Sequence, residues 1–133
     1  MNMILSLCAD DRLGLSFGGR RQSKDSQVRR YLLELSGGKL RMSEYSARQF
    51  EEPVYSGADY LSGAAAEDWC FAENRDYLAF SDAIGKIVLF RWNRHYPADV
   101  RFEFPGKWAL VRSEDFPGSS HEKITMEVYE RCD

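Results

Sequence analysis

The chain has 133 residues, of which 44% are hydrophobic, 14% aromatic and 29% charged. That is too apolar for a disordered polymer, and the length suits one domain, residues 1–133, with a core of its own. A formal net charge of −3 gives no global attraction to nucleic acid, and no apolar run approaches the length that spans a bilayer.

Residues 3–9 form a short apolar run stopped by Asp10 and Asp11 with no basic segment before it, which predicts a buried first strand rather than a signal peptide. Cys8, Cys70 and Cys132 are odd in number and lack CxxC spacing, so reduced structural thiols and a cytoplasmic location are expected. The stretch RLGLSFGGRRQSKD follows, read as a loop. From Asp25 the period changes: Val28, Tyr31, Leu32 and Leu35 fall on one helical face, with Asp25 at the helix start and Gly37 and Gly38 at its end.

Residues 39–42 read as a second strand, and Ser43 as the N-cap of a helix through Glu51, stopped by Pro53. Residues 53–68 are rich in Gly, Ala and Ser and predict a loop with at most one helical turn. WCFA reads as a strand, residues 77–84 as a helix and KIVLFRW as a strand. WALVRS and KITMEVYER complete the set, the last alternating Ile124, Met126 and Val128 against Thr125, Glu127 and Tyr129 as a half-buried antiparallel strand does. This order predicts an α/β fold: a mostly parallel sheet with an antiparallel C-terminal edge strand and flanking helices. Ligands of such sheets bind beyond the carboxyl ends of the strands, where RLGLSFGGRRQSKD lies.

In this order the segments MILSLCADDRLGL, SKDSQVRRYLLELSGGKLRM, YLAFSDAIGKIVLFRW, HYPADVRFEF, KWALVRSEDF and ITMEVYERC resemble the dihydrofolate reductase family along most of the chain. The resemblance implies a dihydrofolate-reductase-like fold and an active-site cleft beside the first loop. It also implies a carboxylate at the helix start that anchors a pterin: Asp25 by motif, or Gln27 by spacing from Met42 unless two residues are inserted. Arg20, Arg21, Tyr31 and Ser46 are candidate ligand-binding residues, Ser46 standing where the family has a threonine.

The departures are as informative. The family's Leu-Pro-Trp lid is replaced near Gly19, Arg20 and Arg21. Its Gly-Gly pair, which lets backbone approach a dinucleotide pyrophosphate, is replaced by Glu73 and Asn74, and a carboxylate there repels phosphate. The middle of the family is reduced to residues 52–68. Hydride transfer requires a held and aligned donor, so loss of these contacts predicts a protein without NADPH-dependent reductase activity and with no cofactor expected.

His95 and His121 are the only histidines, and the HxHxDH cluster of a metal-dependent nuclease is absent, so no metal is expected. Ser119, Ser120 and His121 are consecutive, which predicts a turn, since a nucleophile and base are defined by geometry and not adjacency. FRWNRHYP sets Arg91, Trp92, Arg94 and Tyr96 in a composition that could stack on bases, but at period two half of it points into the sheet, so a structural strand with a solvated edge is expected. Gly18, Gly19, Arg20 and Arg21 could hold an anion or form a mobile loop. Three functions follow as expectations: a degenerate reductase fold binding a small molecule or protein in the first-loop cleft; an active NADPH-dependent reductase of a pterin-like substrate; or an inhibitor-type interaction module using Glu51, Glu52 and Asp59. No nucleic-acid or membrane partner is expected.

Overall fold

The computed structural model describes residues 2–132. Its framework is a seven-stranded sheet built around β1 (Met3–Ala9). Leu5 and Leu7 point to one face of β1, and Ile4 and Cys8 are packed against the other. This burial on both sides is why the strand reads as a continuous apolar run. β1 pairs in parallel with β6 (Trp69–Phe71) and with β7 (Ile84–Arg91). β4 (Leu40–Met42) pairs with β6 and with β5 (Tyr55–Ser56), also in parallel. β9 (Trp108–Phe116) and β10 (Ile124–Arg131) complete the order β5-β4-β6-β1-β7-β10-β9.

The expected mixed α/β fold with a mostly parallel sheet is present, but the antiparallel strand is not at its edge. β10 lies between β7 and β9 and is antiparallel to both, so β9 forms the edge. The turn between β9 and β10 carries Ser119, Ser120 and His121 across to the start of the first helix.

That helix, α1 (Ser26–Ser36), starts at Asp25, whose extended backbone and side-chain bond to the Gln27 N–H make it the N-cap. It stops at Gly37, which adopts φ 58°, a left-handed conformation that glycine takes without a Cβ penalty. Val28 and Leu32 bury against Leu40, Met42, Phe71, Val88 and Phe90 on one face of the sheet. Leu35, expected on the same face, is 42% exposed, because it ends over a groove beside Trp69, Val88 and Val111 that nothing covers.

Four further expectations need correction. RLGLSFGGRRQSKD is a hairpin rather than a loop. β2 (Gly14–Phe17) and β3 (Arg20–Arg21) pair across Gly18 and Gly19, and β8 (Val100–Arg101) adds to them as a separate antiparallel sheet. The helix after Ser43, α2 (Glu44–Ala47), has only four residues. Beyond it Gln49 and Phe50 bond back three residues, which tightens the chain and packs the partly buried Phe50 against the core.

Residues 53–68 contribute the short strand β5 and bury Tyr60 and Leu61. Finally, residues 77–84 are not an α-helix. Asp76–Ala83 is 3₁₀ in type with a kink at Phe80, and Ile84 already opens β7. Tyr77 imposes this: its buried hydroxyl donates to the Glu103 carbonyl at 2.7 Å and accepts the Glu103 N–H at 2.8 Å. Among the described residues all three cysteines are free thiols, and no helix is long and apolar enough to cross a membrane.

Candidate functional site

The hairpin β2–β3, the N-terminus of α1 and the β9–β10 turn meet beyond the carboxyl ends of β1 and β6. Asp25 sits at their junction. Its Oδ1 accepts the Gln27 N–H at 2.9 Å, the Ser119 N–H at 2.9 Å and the Ser119 hydroxyl at 3.1 Å. Its Oδ2 accepts the Ser120 N–H at 2.8 Å and faces His121 Nδ1 at 3.0 Å. Burial alone would raise the carboxyl's pKa. The Ser119 N–H, the His121 ring and the Ser120 and Gln27 N–H groups outweigh it and hold Asp25 well below the usual carboxylate range. An ionised carboxylate only accepts, so Nδ1 of His121 carries a hydrogen.

The two side chains are sealed, 1% exposed for His121 and 0% for Asp25. Trp92 stacks on the imidazole with centroids 4.5 Å apart and an 18° interplanar angle. The far nitrogen, Nε2, lies 3.2 Å from Ser23 Oγ and 3.1 Å from Tyr96 Oη. Tyr96 is itself placed by Asp10, whose buried carboxylate accepts the Tyr96, Gly14 and Arg12 N–H groups. Desolvation opposes ionisation of Asp10, but these donors lower its pKa from the ordinary value. One carboxylate therefore fixes both the hairpin entry and the segment carrying Tyr96.

A second cluster closes the cleft between hairpin and sheet. Arg21 forks onto Glu73, Nε to Oε2 at 2.7 Å and a terminal nitrogen to Oε1 at 3.0 Å. Ser46, fully buried on α2, donates its hydroxyl to Glu73 at 2.8 Å, and Tyr45 lies under the Arg21 guanidinium at 4.5 Å. Behind this pair the cavity lined by Asp25, Leu32, Phe50, Phe71 and Trp92 has about 10 Å³, room for one water at most. In front of it lies an open basin of about 600 Å³, walled by Arg20, Arg21, Ser23, Lys24, Tyr45 and Ser120. Ser23 lines both spaces.

Of the residues singled out from the sequence, Arg20 and Arg21 reach the basin, Ser46 supports it through Glu73, and Asp25 stands behind it with both oxygens engaged. Gln27 contributes a backbone N–H to Asp25. Tyr31 is elsewhere: it stacks on Phe116 at 3.9 Å with its hydroxyl toward Glu114. Glu51 and Glu52 are exposed, and Asp59 is paired with Tyr55 and Arg41. Trp92 is buried, so FRWNRHYP has no exposed tryptophan on which a base could stack.

The link between Ser23, His121 and Asp25 escaped the sequence reading, because about a hundred positions separate loop and turn and only the β9–β10 register joins them. A buried-histidine signal existed only in the neighbouring Ser119 and Ser120. Among the described residues no group of three or more His, Cys, Asp or Glu is placed to hold a metal ion. Neither a protein-family model nor a curated protein matches the chain.

Proposed function

We propose that this is a shortened, divergent protein of the dihydrofolate reductase type that has given up NADPH-dependent reduction and takes a small anionic molecule in the basin of Arg20 and Lys24. One observation carries the reading. The basin wall holds three cations and no carboxylate, and neither Arg20 nor Lys24 has an ion-pair partner among the described residues. Charge that is neither paired nor desolvated favours binding and steering of an anion.

The residues do not fit a dinucleotide. Glu73, anchored by Arg21 and Ser46, stands at the end of β6 where the family's glycines would admit a pyrophosphate, and its charge opposes one. Nor do they fit a pterin, since Asp25 has no unused acceptor and the cavity beside it is the size of a water.

Titration with NADPH, followed by emission of the three tryptophans, tests the first half. No saturable change at micromolar cofactor is expected, and micromolar quenching overturns the reading. Thermal shift with inorganic pyrophosphate, glutarate and an antifolate tests the second. Stabilisation by an anion that is lost in Arg20→Gln/Lys24→Gln is expected, and stabilisation by the antifolate alone overturns it.

A further inference from the structure

We propose that Ser23, His121 and Asp25 form a nucleophile–base–positioning relay that hydrolyses esters of small carboxylate-bearing acids from the basin side. The inference goes beyond ligand binding and rests on the basin being the point of entry. Two distances define it, Ser23 Oγ to His121 Nε2 at 3.2 Å and His121 Nδ1 to Asp25 Oδ2 at 3.0 Å, and five further hydrogen bonds fix the carboxylate. Asp25 accepts at Nδ1, so the neutral imidazole carries its hydrogen there and turns the Nε2 lone pair to the Ser23 hydroxyl, the tautomer a general base requires. Trp92 stacked on the ring keeps it from turning.

His121 is almost wholly buried while Ser23 is half-exposed and opens on the basin, so substrate approaches the Nε2 edge only from the Ser23 side. Arg20 and Lys24 supply the charge preference and a positive field for a developing oxyanion.

In the step itself, Ser23 Oγ bonds to the ester carbonyl carbon as its proton passes to Nε2. The carbon–oxygen bond to the alcohol then breaks and the alcohol leaves with that proton. Water attacks the acyl-serine, gives one proton to Nε2, and the proton returns to Oγ as the acid departs. No other reactant is consumed. Tyr96 is the competitor, because its hydroxyl also points at Nε2 from 3.1 Å and the lone pair accepts one hydrogen at a time.

The test is intact-mass labelling of the full chain with a fluorophosphonate, with the modified peptide mapped. A single adduct on Ser23 is expected, absent in Ser23→Ala. Tyr96→Phe leaves Ser23 alone on Nε2 and is expected to label faster, by about 5-fold if one ordinary hydrogen bond is removed. No Ser23 adduct in either protein overturns the proposal, as does an adduct that survives Ser23→Ala.

Turnover of mono-p-nitrophenyl glutarate should exceed that of p-nitrophenyl acetate and fall on the order of 10³-fold in Ser23→Ala. Asp25→Asn should move the pH profile of labelling, since an amide N–H facing Nδ1 favours the opposite tautomer. A Ser23 adduct without preference for the charged ester removes the anion reading of the basin and leaves the relay. Anion stabilisation without an adduct does the reverse.

Discussion

His121 and Asp25 make a charge-assisted hydrogen bond of 3.0 Å inside the protein, yet they come from opposite ends of the chain and from elements that share no strand pairing. The carboxylate has three structural duties: it caps α1, closes the β9–β10 turn and orients the imidazole. Its environment therefore governs stability as well as chemistry.

The first prediction concerns acid. Asp25 and Asp10 both have pKa values lowered in the folded protein, so their contribution to stability is present above the unfolded value, roughly 3.9, and is lost as pH falls through the folded ones. The urea midpoint should drop steadily below about pH 4. Asp25→Asn should be less stable at neutral pH and lose less on acidification; an acid limb as steep as the parent's would show that the carboxylate is not held as described.

Gly118 tests the crowding around the same oxygens. A Cβ there would stand 2.5 Å from Asp25 Oδ2, 2.9 Å from the His121 carbonyl oxygen and 2.9 Å from Ile124 Cδ1. Two of the three contacts are fixed groups, so Gly118→Ala should cost about 1–3 kcal/mol in chemical denaturation. A loss below half of that range would mean the turn has freedom to move.

The Arg21–Glu73 pair is largely shielded, at 22% and 13% side-chain exposure. Glu73→Gln leaves a partly desolvated guanidinium without its counter-charge and should lower stability by about 1–3 kcal/mol, less than for a fully buried pair. It should also strengthen binding of inorganic pyrophosphate in calorimetry, because the repelling carboxylate is gone. Weaker binding than the parent would contradict the electrostatic account.

Thiol reactivity offers an independent check on the core. Burial raises the Cys70 thiol to about 12, and burial followed by the charges of Glu73 and Asp25 raises Cys8 well above its usual value. Cys132 is exposed. Brief alkylation of native protein should modify Cys132 first, with the partly accessible Cys8 slower because its thiol stays protonated and Cys70 reacting only in denaturant. Cys8 is partly accessible, so native alkylation of Cys8 as fast as that of Cys132 would show that its thiol is not held protonated as described.

For the packing of α1, Leu32→Ala should cost about 2–5 kcal/mol, since its side chain is completely buried between helix and sheet. Leu35→Ala, at the half-open end, should cost less than half as much. The comparison requires only two denaturation curves.

Several of these features were legible before any coordinates. The apolar run of β1, the 3.6-residue period of α1 and the glycine stop at Gly37 are local signals, and each produced the expected element. Errors arose where tertiary contacts override local pattern. Tyr77 draws its segment into a 3₁₀ path through a hydrogen bond to Glu103, and alternation in β10 does not distinguish an interior strand from an edge one. Asp25 was visible as a helix cap. Its partner was not, because a hydrogen bond across 96 positions leaves no mark in composition or spacing.

The insertion of β10 between β7 and β9 also makes one strand depend on a later one. β9 has no neighbour in the sheet except β10, so during synthesis it emerges with nothing to pair with and must wait for residues made after it. The turn bearing His121 lies between these two strands and reaches Asp25 only once they have joined. The Ser23–His121–Asp25 cluster therefore depends on a strand made after all three of its residues, and a chain interrupted within β10 would carry all three without the β9–β10 pairing that holds the His121 turn against Asp25.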